Sequence, residues 1–338
     1  MKSPFLLGVI LLLSACAPSP VVRQPPEIPI APMPDSAPPP DTTAAGPSHA
    51  IPGQPLGSRA DVQSFIREMS ARHHFDAAQL QAVFNRAQAR PSIISAMSRP
   101  GEAKPWYAYR DIFVNANRIQ GGVRFWRANA AALAQAERVY GVAPEIVVAI
   151  IGVETQYGGN MGSFRVLEAL STLAFDYPRR AAYFRKELEN YLLLTRQEGI
   201  DPLVPRGSYA GAMGLGQFMP SSFLSYAVDF DGDGHRNLWS DPDDAIGSVA
   251  HYFRGYGWRP GEPVAVPAQV SGTRYPALIS QQLSPPRDSV AHLQAQGAAP
   301  EAPVNGSRAA MLLEYQGRDG LEYWLGFDNF YVITRYNH

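Results

Sequence analysis

The sequence predicts an α+β, mainly α protein in which a helical domain is followed by a small β-containing part. Two observations carry that prediction. Apolar residues recur at helical spacing from Asp61 to His251, and beyond Pro260 the texture changes to runs rich in β-branched, aromatic and leucine residues. A third sets the size: 338 residues, 46% hydrophobic and 17% charged, suffice for a large core in one large or two medium domains. Twenty-nine basic against thirty acidic residues leave a formal net charge of -1, so the total favours no polyanionic partner such as nucleic acid.

The first element is a leader. Lys2 precedes the apolar run from Phe5 to Leu13, which is too short for a membrane span of roughly 20 residues and suits a secretory signal. The run ends in Leu13-Ser14-Ala15-Cys16, which resembles the lipobox of bacterial lipoproteins, where the Cys is acylated and becomes the mature N-terminus. That resemblance implies a signal peptide over 1–16 and an anchor of more than one acyl chain. Ala17, where Asp would retain the protein, implies sorting to the outer membrane, facing the periplasm. An ordinary signal peptide with an incidental Cys is the alternative. Cys16 is the only cysteine, so disulfides and thiolate metal sites are excluded. Ala17 to about Pro55 is dominated by Pro, Ala and Ser and is expected to form an extended tether, with the main body over 56–338.

Within that body the apolar spacing predicts helices at Asp61 to Ala71, Ala77 to Gln88, Gly121 to Val139, Pro144 to Tyr157, Arg179 to Arg196 and Asp244 to Tyr256. The β-like runs are Val264 to Val270, Ala309 to Tyr315 and Leu321 to Thr334, with a turn signal at Gly317-Arg318-Asp319-Gly320.

The helix beginning at Pro144 carries the most informative residue. Val147, Ile150 and Ile151 precede Glu154 by seven, four and three residues, so its carboxylate shares their apolar face, with Gly158 expected to end the helix. Desolvation and the partial negative charge of a helix C-terminus would both raise its pKa, keeping a proton for general acid catalysis. A Glu at the core edge, paired with an Arg, is the ordinary alternative.

Ile151-Gly-Val-Glu154-Thr-Gln-Tyr-Gly158, followed by Gly207-Ser-Tyr-Ala-Gly-Ala-Met-Gly-Leu-Gly-Gln217-Phe-Met-Pro-Ser-Ser222, resembles the membrane-bound lytic transglycosylase B family of murein-cleaving enzymes. The resemblance runs from about Asp61 to the C-terminus. It implies a lysozyme-like helical catalytic domain, peptidoglycan glycan strands as substrate, and Glu154 as both acid and base. A glycoside hydrolase of the usual kind needs a second carboxylate, about 5 Å away for retention or about 6.5 to 9.5 Å for inversion, and neither motif offers an obvious one. In the mechanism the resemblance implies, the muramyl 6-hydroxyl attacks internally and closes a 1,6-anhydro ring.

Ser208 and Gln217 carry groups suited to sugar hydroxyls and acetamides, among glycines that permit close backbone approach to a ligand, and the resemblance puts both beside Glu154. Arg179 and Arg180 open a helix where they do not help its dipole, so an outside anion is their expected partner. The family implies lactyl or peptide carboxylates, with Tyr183 nearby. Tyr109 and Tyr336 are candidates for stacking on sugar rings. Asn337 is a site residue by resemblance only. The family usually continues past Arg335-Tyr336-Asn337-His338 with a final helix, which implies a shortened C-terminus or a truncated record here, and a terminus that frays at Asn337.

Asp229-Phe-Asp231-Gly-Asp233-Gly234-His235 sets carboxylates at positions 1, 3 and 5, Gly at 6 and a backbone carbonyl at 7, the EF-hand arrangement for Ca2+. Position 12 is Ser240 instead of Glu, so the last carboxylate comes from further on. The family's lengthened loop implies Asp244, with Asp241 and Asp243 as rivals, and a structural ion away from Glu154. A metal-free Asp-Gly turn is the alternative.

Three classes of function follow: a non-hydrolytic glycan lyase, a muramidase-like hydrolase, and a non-enzymatic peptidoglycan-binding lipoprotein. Glu154, Ser208 and Gln217 together favour the first over the third. Zinc hydrolysis of wall peptides is disfavoured, since no H-E-x-x-H occurs among seven histidines. We expect no organic cofactor; wall-synthesis proteins and, through the anchor, the membrane are the further candidate partners.

Overall fold

The computed structural model describes residues 54–98 and 104–336. The expectations for Cys16, for the tether up to residue 53 and for Asn337 lie outside the described residues. The body is entered at Pro55, which forms a β-bridge with Gln88, and Leu56 is fully buried.

The helical part runs through α1 (Ala60–His73), α2 (Ala77–Asn85), α3 (Pro91–Met97), α4 (Trp106–Phe113), α5 (Ala116–Ala128), α6 (Ala130–Tyr140), α7 (Pro144–Thr155), α8 (Val166–Asp176), α9 (Ala181–Gln197), α10 (Pro220–Tyr226) and α11 (Pro242–Gly255). Asp76 caps α2 by accepting from the Ala78 and Gln79 N–H groups, and Asp241 caps α11 in the same way. A helix was expected from Gly121 to Val139; two occur. The Asn129 side chain donates to the Phe125 carbonyl at 2.8 Å, closing α5 with a local bond that competes with helix continuation.

At the centre lies α8, which the sequence did not reveal. Every residue from Val166 to Ala174 is buried, so no polar stripe marks its period. The acid inside it is satisfied: Glu168 accepts from Arg90 at 2.8 Å and from the Gln88 N–H at 3.1 Å. Antiparallel to each other, β1 (Phe164–Arg165) and β2 (Arg206–Gly207) join the start of α8 to the loop after α9.

The C-terminal part is a five-stranded antiparallel sheet in the order β4-β6-β7-β3-β5, built from β3 (Ala265–Val270), β4 (Asp288–Ser289), β5 (Ala298–Pro300), β6 (Ala309–Gln316) and β7 (Leu321–Gly326). Leu312 and Leu325, paired across β6 and β7, form a second core with Val290 and Leu293 of α12 (Val290–Ala295). The run from Leu321 to Thr334 was expected to be β-like throughout, but it divides at Phe327 into β7 and α13 (Asp328–Thr334). Fully buried Asn329 anchors that helix, donating to the Arg259 and Glu262 carbonyls at 2.9 Å and accepting the Arg259 N–H at 2.8 Å. Thus α13 returns the chain from the sheet to the helical core and delivers Tyr336 there.

Candidate functional site

Pro144 starts α7, where its fixed φ and missing N–H do no harm. Val147 and Ile151 are fully buried and Ile150 packs on the same core, so Glu154 leaves that core at its edge, partly buried. Burial raises its pKa to about 7, and among the described residues it has no ion-pair partner.

The helix ends before Gly158. Gln156 at φ 53° and Tyr157 at φ 60° both adopt the left-handed conformation that Gly158 at 89° then shares. Each such non-glycine residue stores about 1–3 kcal/mol of strain and persists only where its surroundings hold it. Here the Tyr157 ring fills a slot between Gly121 and Gly122 of α5 and Gly152 of α7, and a Cβ on Gly152 would stand 2.4 Å from its hydroxyl oxygen. Phe125 closes the slot with ring centroids 5.5 Å apart. Arg118 donates to the Gly152 carbonyl and, at 3.3 Å, to that of Val153. This cation sits at the negative end of α7, and burial is the cause of the raised pKa. Sequence reasoning missed Arg118 and Tyr157. The available signal was Gly121-Gly122 inside an expected helix, where each glycine costs about 1 kcal/mol unless something must come close.

The segment 207–219 is held beside this turn by three bonds, from Thr155 at the end of α7, to Met161 beyond the turn, and from Tyr336 after α13. Thr155 Oγ1 donates to the Leu215 carbonyl at 2.9 Å, Gln217 Nε2 to the Met161 carbonyl at 3.3 Å, and the Tyr336 hydroxyl to the Gly216 carbonyl at 2.7 Å. Its glycines were expected to admit a ligand; Gly207 and Gly214 instead admit the protein's own backbone. Added Cβ atoms would meet the Ala212 carbonyl oxygen at 2.2 Å and that of Leu238 at 2.5 Å. Gln217 is itself left-handed at φ 51°, with Nε2 also bonded to the Gly214 carbonyl at 2.9 Å. Ser208 Oγ accepts from the Ala210 and Ala212 N–H groups at 3.2 and 3.0 Å.

Tyr336 packs edge-on to Tyr252 at 4.7 Å, and burial, the Glu154 carboxylate and Tyr252 hold its hydroxyl well above the usual phenol range. Tyr252 stacks on Tyr256 at 4.4 Å, and Tyr256 lies within electrostatic reach of Tyr183. The Arg180 guanidinium sits 4.4 Å from the Tyr183 ring centroid, and both Arg179 and Arg180 stand exposed on a 3-10 turn that precedes α9. A file of tyrosines thus leads from Arg180 to Glu154. Tyr109 belongs to a different group, with Trp106 at 6.4 Å and Phe113 at 5.1 Å.

In the acidic loop, carboxylate oxygens of Asp229, Asp231 and Asp244 lie within 4.8 Å of one another, as do those of Asp231, Asp233 and Asp241. Asp244 is almost fully buried and accepts from the Phe230 and Asn237 N–H groups at 2.6 and 2.7 Å. Burial raises its pKa to about 6 against those two donors, and the Asp241 and Asp231 charges add to the rise. A buried carboxylate facing others calls for a counter-ion, and an all-oxygen donor set fits Ca2+. Asp229, Asp231, Asp233, the His235 carbonyl and Asp244 are the groups that would hold it. The exit of this loop supports the segment bonded to Thr155, because the Leu215 N–H donates to the Leu238 carbonyl at 2.8 Å.

Three comparisons bear on this arrangement. The family model described as a transglycosylase SLT domain matches residues 57–338. A protein of Escherichia coli (strain K12), membrane-bound lytic murein transglycosylase B, is 43% identical over 353 residues, covering 98% of this chain and 92% of its own. Among solved structures, soluble lytic transglycosylase SltB1 from Pseudomonas aeruginosa is 50% identical with a TM-score of 0.79, covering 82% of this chain and 92% of its own. The Escherichia coli lytic transglycosylase Slt35 in complex with calcium is 48% identical with a TM-score of 0.77, covering 82% and 88% respectively.

Proposed function

The chain belongs to the lytic murein transglycosylase family, with its lysozyme-like, mainly helical fold, and from that premise we propose that Glu154 is the acid and base of its reaction. The enzyme is a peptidoglycan lytic transglycosylase, a non-hydrolytic lyase that cleaves the β-1,4 bond between N-acetylmuramic acid and N-acetylglucosamine and forms 1,6-anhydromuramyl ends. The observation that carries the assignment is a partly buried carboxyl group at the end of α7, raised to about 7 by burial and without an ion-pair partner among the described residues.

Near neutrality such a group exists in both forms. Protonated Glu154 gives its proton to the glycosidic oxygen as the C1–O bond breaks, and the N-acetylglucosamine portion leaves as an alcohol. The substrate's acetamido group steadies C1. The carboxylate then takes the proton of the muramyl 6-hydroxyl as its oxygen bonds to C1, so Glu154 ends protonated and no water is consumed. Gln217, with its Nε2 engaged by two carbonyls, has its amide oxygen left to accept from the sugar. Ser208 accepts two N–H bonds and retains its own proton to donate. Arg179, Arg180 and Tyr183 meet lactyl or peptide carboxylates, Tyr336 and Tyr109 stack on sugar rings, and Asn337 adds a polar contact. Mass spectrometry of products from purified sacculi tests the whole reading: anhydro ends are expected, and dominant reducing ends would establish the hydrolase instead.

The acidic loop holds a structural Ca2+, as the relative solved with calcium supports. Because the ion binds the folded state only, saturation at a hundred times Kd adds about 2.7 kcal/mol. Calorimetry is expected to show a lower melting temperature after chelation. An unchanged melting point, with no metal by elemental analysis, would sink this assignment.

The enzyme acts at a membrane, as the name of its Escherichia coli relative supports. Among the described residues no helix is long and apolar enough to cross one. Acylated Cys16 anchors it to the outer membrane facing the periplasm, and the Pro-rich residues 17–55 separate anchor from body. Cys16→Ser is expected to move the protein from the membrane to the soluble fraction. Failure of labelled fatty acid to enter the wild type would reject the anchor.

A further inference from the structure

Helix α4 has no buried residue although it carries Trp106, Tyr109, Ile112 and Phe113. It is fastened at one side to the β6–β7 hairpin: Arg318 pairs with Asp111 at 2.7 Å, lies over the Tyr107 ring at 5.8 Å, and Arg110 faces Glu322 at 3.9 Å. Those contacts leave the Trp106 ring beside Tyr315 of β6, with centroids 5.2 Å apart and planes inclined by 36°. Lys104, Trp106, Tyr109, Glu314, Tyr315 and Gln316 line a cavity of about 330 Å3 there. That volume is at the lower end of ligand pockets, which run from roughly 300 to 1,000 Å3.

We propose that Trp106 and Tyr315 form a distal subsite for a saccharide unit of the glycan strand, remote from the bond that is cut. Flat aromatic faces pack against the C–H faces of a pyranose, while Lys104, Glu314 and Gln316 at the rim offer donors and acceptors to hydroxyl and acetamido groups. A series of contacts connects this aromatic group to the turn that carries Glu154. Tyr109 contacts Phe113 at 5.1 Å, the Arg118 guanidinium lies 5.1 Å from the Phe113 ring centroid, and Arg118 donates to the carbonyls of Gly152 and Val153 immediately before Glu154. These contacts tie α4 to the end of α7 that carries Glu154. A folded protein partner fits less well, because the cavity is small and rimmed by groups of both charges.

The subsite rests on the glycan-cleaving function and deepens it. Its test measures binding of peptide-free glycan strands by calorimetry to Glu154→Gln enzyme, alone and combined with Trp106→Ala, Tyr315→Ala or Trp106→Phe. Each alanine variant is expected to raise Kd about tenfold for long strands and by less for short fragments, with Trp106→Phe retaining most of the affinity. Calcium-saturated melting temperatures check folding, and agreement between Tyr315→Ala and Trp106→Ala excludes damage at one position. Equal Kd values across the series, or a loss independent of strand length, would overturn the proposal. So would binding of isolated stem peptide that is weakened by the same substitutions while the glycan series is flat. A catalytically active Glu154→Gln enzyme would instead undo the acid/base assignment and leave this binding series to be read on its own.

Discussion

Glu154→Gln is expected to lower turnover on sacculi by about 10²- to 10⁴-fold while leaving glycan binding nearly intact. Gln keeps the shape of the side chain and its capacity to hydrogen bond, and removes the proton that the leaving oxygen needs. Among the described residues no other carboxyl group is paired with it. Digestion in ¹⁸O-water separates the chemistry from the alternative. Attack by the muramyl 6-hydroxyl leaves anhydro ends without label, whereas attack by water leaves labelled reducing ends, one water heavier. A residual rate near wild type would reject Glu154 as the acid; labelled reducing ends in quantity would reject the lyase and keep the acid.

What the sequence made legible follows from periodicity and motif. Glu154 was visible because Val147, Ile150 and Ile151 fix its helical face, and α2, α9 and α11 were found within a few residues of their ends. Helix α8 escaped because burial on all sides erases the polar stripe by which a helix is recognised. The boundary between α5 and α6 turned on one Asn side chain, and the boundary between β7 and α13 on a tertiary anchor, Asn329, whose partners lie about 70 residues away.

The site shows the same division. Spacing within one segment joined Asp229, Asp231 and Asp233, but that Asp244 is buried against two of the loop's own N–H groups is a property of the folded chain. Likewise the link from the acidic loop to the turn after Glu154 passes through Leu238, Leu215 and Thr155, joined by two hydrogen bonds with no sequence signature. These bonds give the acidic loop a route of contact to the residue that follows Glu154. Strain at Gln156, Tyr157 and Gln217 was equally hidden, since none of these residue types announces a left-handed backbone. All three lie on the segments that meet beside Glu154, which is where unfavourable geometry is tolerated in exchange for orientation.

Burial of Glu154 should also make the folded enzyme less stable than its Glu154→Gln variant, and by an amount that depends on pH. In the unfolded chain this carboxyl titrates near 4.5, in the folded protein near 7. A group whose folded pKa lies above its unfolded value stabilises the fold fully below the lower pKa, and that contribution is lost as pH rises through the higher one. The rise corresponds to about 3 kcal/mol, since each unit is worth about 1.36 kcal/mol. Gln carries no charge at any pH and escapes the loss. Urea unfolding at saturating calcium should therefore show similar shifts from all other carboxylates in both proteins, with an added advantage for Glu154→Gln that grows from pH 4.5 to 7 and is constant above. A gap that is the same at pH 4 and pH 8, or a wild type that is the more stable at pH 8, would mean that Glu154 is well solvated when ionised. The proton-holding property the reaction needs and the instability of the ionised enzyme would then lose their common cause, which is the apolar edge formed by Val147, Ile150 and Ile151.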